Sequence, residues 1–361
     1  MRNFHFLIIF FLITLMHHLL AGAQQLPGSE TADNELIRIG LLITEKPDQN
    51  PLMMEAVHVT ELAGEIVNEK GGIRQKSVQI VVKSVDGNWG AGSKQAVSLI
   101  YEHQTTALLG FVDGRSAHLI EQVCTKAEIP FISTLSPDPS LSRINIPWFF
   151  STLPHADQQA AALAEHLYSG NIARDILVVT SDDYDQTFIS RSFADLAAGK
   201  YENQPATFTY AAGQHDFSGV LSNLAEINAA TLVFFGASDE LESLAEQLTL
   251  ANIDIPIHTP VMNLDSELAA RYSGPLYTLR PGSPVHEDSE AFRALFFERY
   301  GNMPGIQTTY LYDGLQFLFR AIRENGEESE PIRNSLANMT EPAAFDSEGM
   351  IEQSLTVVQL Y

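Results

Sequence analysis

The chain has one cysteine, Cys124, among 361 residues. An intramolecular disulfide is therefore excluded, and stability must come from core burial, which a chain of this length can supply. Positive charge is also scarce. Lysine and arginine number 21 against 45 aspartates and glutamates, for a net charge of −24. That balance repels phosphate backbones and anionic lipid surfaces, so nucleic acid is not an expected partner. Beyond the first two dozen residues no segment is apolar for long enough to span a bilayer, so no stable membrane insertion is expected. Catalytic and cofactor motifs are missing as well. There is no GxSxG elbow, no P-loop and no GxGxxG after a strand. The eight histidines from His58 onward show neither HxxxH nor HExxH spacing. No metal and no cofactor are expected, and the chain does not read as an enzyme. Cys124, between Val123 and Thr125 in a helical pattern, reads as a buried small hydrophobe rather than a nucleophile.

The first residues have the pattern of an export signal. Arg2 supplies positive charge, Phe6 to Met16 is apolar except for Thr14, and Ala21-Gly22-Ala23 is a small-residue cleavage site. Residues 1–23 are thus expected to be a cleaved signal peptide, with the mature protein starting near Gln24. No cysteine sits at that point to carry a lipid.

From Leu36 onward, strand and helix patterns alternate. Leu36–Ile43 is a short β-branched run, a helical pattern extends from Leu52 to Lys70, and Val78–Val82 gives a second strand. Helix Ala91–Glu102, strand Thr106–Phe111, helix Ser116–Ala127 and strand Pro130–Ser133 continue the series. Ser136-Pro137-Asp138-Pro139-Ser140 then breaks it. The alternation restarts after Thr152, with helices over 157–168, 186–198, 217–228 and 239–251 and strands over 176–180, 206–210 and 231–235. Helices near 289–300 and 308–325 and a β-like run at 354–360 form the tail. Such alternation predicts two α/β halves, each with a mostly parallel sheet and helices on both faces.

Seven short motifs stand in order along this frame. They are Ile39-Gly40-Leu41-Leu42, Asn68-Glu69-Lys70-Gly71-Gly72-Ile73, Asp86 with Gln95-Ala96-Val97, Glu128-Ile129-Pro130-Phe131-Ile132-Ser133, Asp182-Asp183-Tyr184, Asp216-Phe217-Ser218 and Tyr312-Asp313. Together they resemble the type I periplasmic solute-binding proteins, in particular the leucine/isoleucine/valine-binding group that serves ABC importers. Several also have structural roles: Gly71 and Gly72 suit a helix C-cap, and Asp216 suits an N-cap.

The resemblance implies a two-lobe fold with three crossovers at a hinge, near 151–154, 274–278 and 343–347. Lobe 1 is then expected over 36–152 plus 277–343, and lobe 2 over 153–276 plus 344–361. It implies a ligand held between the lobes by loops at the C-terminal ends of the strands, as open α/β sheets generally hold theirs. The ligand-binding candidates are Trp89, Asp113, Gly114, Arg115, Ser116, Leu135, Ser136, Tyr184, Ser238 and Met262. Amino-acid binders of the family grip a carboxylate with first-lobe donors and an ammonium with a second-lobe acid. Here Gly114 stands at a common serine position, with Ser116 nearby. Pro137 has no N–H to offer, Ser238 stands where an aromatic is common, and Val261 or Met262 stands where the acid would be. A buried ammonium without a partner costs several kcal/mol, so a plain branched-chain amino acid is not the expected ligand. Asp113 and Arg115 could form a polar clamp or pair with each other. Trp89 could line the cleft or cap the sheet. Asp182, Asp183 and Asp185 read as a solvated acidic loop, since the oxygen set of a calcium loop is incomplete.

The expected function is capture of a small molecule by hinge closure in the periplasm and delivery, by a monomeric protein, to a membrane permease of an ABC-type importer. The alternative is a periplasmic sensor subunit, or a carrier of an apolar lipid or sterol-like ligand for a non-ABC system.

Overall fold

The computed structural model describes residues 36–87, 90–143, 145–169, 175–264, 266–281, 286, 289–341 and 343–360. The expected signal peptide lies outside them. Two sheets organise the chain. The first has strand order β2-β1-β3-β4-β5, from β1 (Leu36–Ile43), β2 (Ser77–Ser84), β3 (Ala107–Phe111), β4 (Phe131–Ser133) and β5 (Phe149–Ser151). The second has order β11-β10-β9-β8-β6-β7, from β6 (Ile176–Ser181), β7 (Ala206–Tyr210), β8 (Thr231–Phe235), β9 (Ile257–Thr259), β10 (Leu276–Pro281) and β11 (Leu355–Leu360). The pairs β1–β3, β3–β4 and β4–β5 are parallel, as are β6–β7, β6–β8, β8–β9 and β9–β10. The pair β10–β11 is antiparallel.

Strands buried on both faces must be apolar throughout, because helices cover each side of a parallel sheet. β3, β6 and β8 are buried at every position. On the first sheet one face packs with α1 (Pro51–Glu69) and the other with α2 (Ala91–Val97) and α3 (Gly114–Ala127). α2 runs on into a π turn over Ser98–Glu102. A short α4 (Ser140–Arg143) follows β4. On the second sheet, α5 (Ala156–Ala164) and α6 (Tyr184–Lys200) share one face, and α7 (Ser218–Ile227), α8 (Ser238–Leu250) and α9 (Ser266–Arg271) cover the other. α10 (Ser289–Tyr300), α11 (Ile306–Asn325) and α12 (Ser329–Ala337) return to the first core.

The helix α11 belongs to both lobes. Ile306 and Tyr310 are in a second-lobe core, whereas Leu311, Leu315, Phe317 and Leu318 are in the first. The Thr152 hydroxyl, just past β5, donates to the Tyr310 carbonyl at 2.8 Å. This pins the first crossover to the shared helix.

Two crossovers differ from their expected positions. β10 pairs between β9 and β11, so residues 276–281 lie in the second sheet and the return to the first follows Pro281. The last crossing follows Ile351, because Phe345 and Ile351 pack in the first core and Ser151 bridges to Met350. Residues 344–351 therefore side with the first lobe. Helix ends follow capping chemistry. Gly71 and Gly72 close α1 with φ of 94° and 75°. Asp216 sits one residue before the N-cap, and its Oδ1 accepts from the Ser218 N–H at 3.0 Å.

Candidate functional site

The C-terminal end of β3 leads directly into α3. Asp113 is the N-cap: its carboxylate accepts from the Ser116 N–H at 3.0 Å and from the Ser116 hydroxyl at 2.9 Å. Asp113 and Ser116 thus satisfy each other rather than clamping a third group. With Ser116 so engaged, the Gly114 N–H at the first turn points elsewhere. It meets the Asp185 carboxylate of α6 at 3.1 Å to Oδ2 and 3.2 Å to Oδ1. The Ser136 hydroxyl, on the loop after β4, donates to the same Oδ1 at 3.2 Å. Two donors of the first lobe therefore converge on a carboxylate of the second.

Asp185 is buried. Burial, and then Asp183, hold its carboxyl well above the usual carboxylate range, against the opposing pull of the Gly114 and Ser136 hydrogen bonds. A buried carboxylate costs several kcal/mol, and each hydrogen bond to it returns about 1.5–3 kcal/mol. Burial is the larger of the two effects. The acidic loop expected to be solvated is therefore divided. Asp183 caps α6 through the Asp185 and Gln186 N–H groups, Asp182 accepts from the Ala212 N–H, and Asp185 turns inward.

A second link lies beside the first. The Tyr184 hydroxyl donates to Asp138 Oδ2 at 2.9 Å, and the Arg115 guanidinium stands 4.9 Å from the Tyr184 ring centroid. Asp138 also receives the Ser140 hydroxyl at 2.7 Å and the Ser140 N–H at 2.8 Å, and lies 3.0 Å from His118 Nε2. The bond to Asp138, with the Glu121 carboxylate 3.7 Å from Nδ1, pushes His118 up to about 9 and favours the imidazolium. Burial opposes ionisation of Asp138, yet His118, Ser140 and Tyr184 together hold its carboxyl below the usual range.

Ser140, His118 and Asp138 do not form a catalytic triad. In a triad, serine and aspartate occupy opposite ring nitrogens of a neutral histidine. Here both approach Nε2, and the Ser140 hydroxyl bonds the carboxylate itself. The arrangement is an ion pair buttressed by hydroxyls. Cys124 is buried, and burial pushes its thiol up, away from nucleophilic use.

The remaining candidates are dispersed. Leu135 packs half-buried on the first core. Val261 and Met262 are buried in the two second-lobe cores, so neither lines an open face. Ser238 opens α8, and its hydroxyl donates to the Asn263 carbonyl at 2.6 Å. Trp89 lies outside the described residues. Of the ten candidates, the structure brings together Gly114, Arg115, Ser136 and Tyr184. It adds Asp185, Asp138 and His118, which sequence reasoning missed. Tyr184 and its neighbour Asp185 stand 46 or more residues from the first-lobe groups they meet, so local pattern gave no sign of the pairing. Among the described residues no cluster of histidine, cysteine and carboxylates could hold a metal ion. An open groove of about 560 Å³ between α11 and α12, lined by Arg320, Glu324 and Asn334, shares no residue with this network.

Two mostly parallel sheets, with loops from the C-terminal ends of their strands meeting between the lobes beside the shared helix α11, define a two-lobe α/β fold. A family model described as periplasmic binding protein matches residues 36–359, and the chain belongs to that family. The fold is that of the branched-chain amino acid transporter substrate-binding protein LivJ from Streptococcus pneumoniae, solved with isoleucine. The TM-score is 0.77 at 19% identity, covering 90% of this chain and 99% of that one. A leucine-binding protein LivK from Thermotoga maritima gives 0.74 at 18% identity, covering 89% and 94%. A solute-binding protein of an ABC transporter from R. palustris, solved with benzoate, gives 0.77 at 17% identity, covering 90% and 93%. Among curated proteins, Glutamate receptor 3.7 of Arabidopsis thaliana is 26% identical over 119 residues, 33% of this chain. Glutamate receptor 3.1 of Oryza sativa subsp. japonica is 22% identical over 232 residues, 64% of this chain. The chain spans only 13% and 24% of the length of these two receptors.

Proposed function

We propose that the chain is an exported solute-binding protein that captures a small molecule between its lobes by hinge closure and presents it to an ABC-type importer. The observation that carries this reading is the family match over residues 36–359, on a fold whose two lobes share the helix α11. Closure is favourable when a ligand contacts both lobes at once. Solved relatives of this fold hold isoleucine and benzoate. A plain branched-chain amino acid does not suit this chain, because Val261 and Met262 offer no acid to an ammonium and are themselves packed in cores. A small ligand without a paired ammonium and carboxylate fits better.

A sensing role is the second reading, favoured by the sequence match to two plant glutamate receptors. The apolar-carrier reading loses its support, since Met262 is buried and Leu135 packs on the first core. A thermal-shift screen across amino acids, amides, ureas and aromatic acids, followed by calorimetry, tests the proposal. A small molecule at 100 times its Kd raises stability by ~2.7 kcal/mol. A shift with leucine or valine alone would overturn the ligand class, and no shift across the screen would count against solute capture.

A further inference from the structure

The second lobe brings its own carboxylate to the first lobe's donors. The Gly114 N–H and the Ser136 hydroxyl both end on Asp185, at 3.1–3.2 Å. Gly114 opens a 14-residue helix, whose free N–H groups and dipole favour an anion at this end. The site is shaped for the approach. A Cβ on Gly114 would stand 2.6 Å from Asp185 Oδ1, 2.9 Å from Ser136 Oγ and 2.9 Å from Tyr184 Cε1. The missing side chain leaves room for the second lobe to come this near.

We propose that Asp185 is a tethered carboxylate that occupies the first lobe's anion cradle and latches the lobes together before any solute arrives. For its consequence the inference rests on the solute-binding reading: a solute carrying a carboxylate must displace Asp185 to use the cradle, and one without it need not. Asp185 thereby sets specificity as well as closure. The titratable and charged groups around it are Asp183 at its own helix cap, Asp113 and Arg115 from α3, and Tyr184. Asp138 and His118 lie one hydrogen bond further on. The latched carboxyl binds its proton more tightly than an exposed one, because burial and the two neighbouring carboxylates disfavour its charge. The Gly114 and Ser136 hydrogen bonds pull the other way and favour the carboxylate.

The test is an interlobe distance measured without solute. Spin labels on Tyr101→Cys in the first lobe and Leu250→Cys in the second use two exposed sites, and buried Cys124 stays unlabelled. The protein is unfolded and refolded first to remove any solute carried through purification. The wild type is expected to give mainly the short distance. Asp185→Ala and Gly114→Ala, acting from opposite lobes, should each raise the open-to-closed ratio about tenfold, as for loss of a charge-assisted hydrogen bond. The double variant should open less than the product of the two single effects, because both act on the Gly114–Asp185 contact. A mainly long distance in the wild type, or folded variants that keep the wild-type distribution, would overturn the latch. The solute screen is a separate measurement, so a latched protein that binds nothing would count against the solute reading alone.

Discussion

The Tyr184 hydroxyl of the second lobe donates a 2.9 Å hydrogen bond to the Asp138 carboxylate of the first. Burial and Asp138 raise the Tyr184 phenol to about 12, so it remains a donor across the physiological range. Its partner is buried, and His118 and Ser140 complete the set of donors. Tyr184, a ligand-binding candidate by sequence, therefore ties the lobes.

Tyr184→Phe keeps the ring and its edge contact with Phe188, but removes the donor. A loss of about 1–2 kcal/mol is expected in urea unfolding, since the acceptor is charged but retains other donors. Tyr184→Ala should cost more, because the Arg115 and Phe188 contacts go as well. Equal stability of Tyr184→Phe and wild type would show that the bond is not formed in solution.

His118 sets an alkaline limit. Its hydrogen bond to Asp138 and the nearby Glu121 carboxylate raise it to about 9, above its unfolded value of about 6.5. A raised histidine contributes stability that is fully present below about pH 6.5 and is lost as pH rises through about 9. Ring resonances followed by NMR should titrate near pH 9. The fall in urea midpoint across that window should flatten in His118→Gln.

His258 sets an acid limit on the second lobe. It is buried, stacked on Tyr277 with centroids 4.5 Å apart, and its Nδ1 lies 3.2 Å from the Thr231 hydroxyl. Burial, and then neighbouring His166, lower it to about 3. A lowered histidine contributes stability that is present above the unfolded pKa and lost as pH falls toward the folded one. Stability should decline by up to about 1.4 kcal/mol per pH unit below pH 6.5. His258→Phe should remove that acid slope, whereas a slope of unchanged steepness would assign it to other groups.

Glu240 is the keystone of the second sheet's outer turn. Its buried carboxylate accepts from the Tyr210 hydroxyl at 2.7 Å, the Gly213 N–H at 2.6 Å and the Ala237 N–H at 2.7 Å. Glu240→Ala leaves three donors without an acceptor and should cost at least about 3 kcal/mol in chemical denaturation. A loss under about 1 kcal/mol would mean that water replaces the carboxylate.

Much of the frame was legible in the chain's own pattern. β1, β7, β8 and α10 have the expected bounds, because each is an uninterrupted run of one period between turn residues. β9 and β10 were not anticipated. Ile257–Thr259 and Leu276–Pro281 are short, carry His258 and Arg280, and are strands only because the sheet offers them hydrogen-bonding edges. α12 escaped notice for a similar reason: its buried residues are only Ile332 and Leu336, too few to show a period.

The linear sequence determined the element types, the α/β class and the position of the segments at Gly114, Ser136 and Tyr184, because burial on both faces of a parallel sheet demands apolar runs and helix starts demand capping groups. The tertiary structure alone decided what those loops meet. Asp185 became a buried acceptor for Gly114 and Ser136, and Met262 a core residue, through contacts between segments far apart in the chain. A carboxylate in a helix's first turn reads the same whether it faces water or another lobe. Only the packing of the two lobes sets its solvation, and solvation sets what a charge can do.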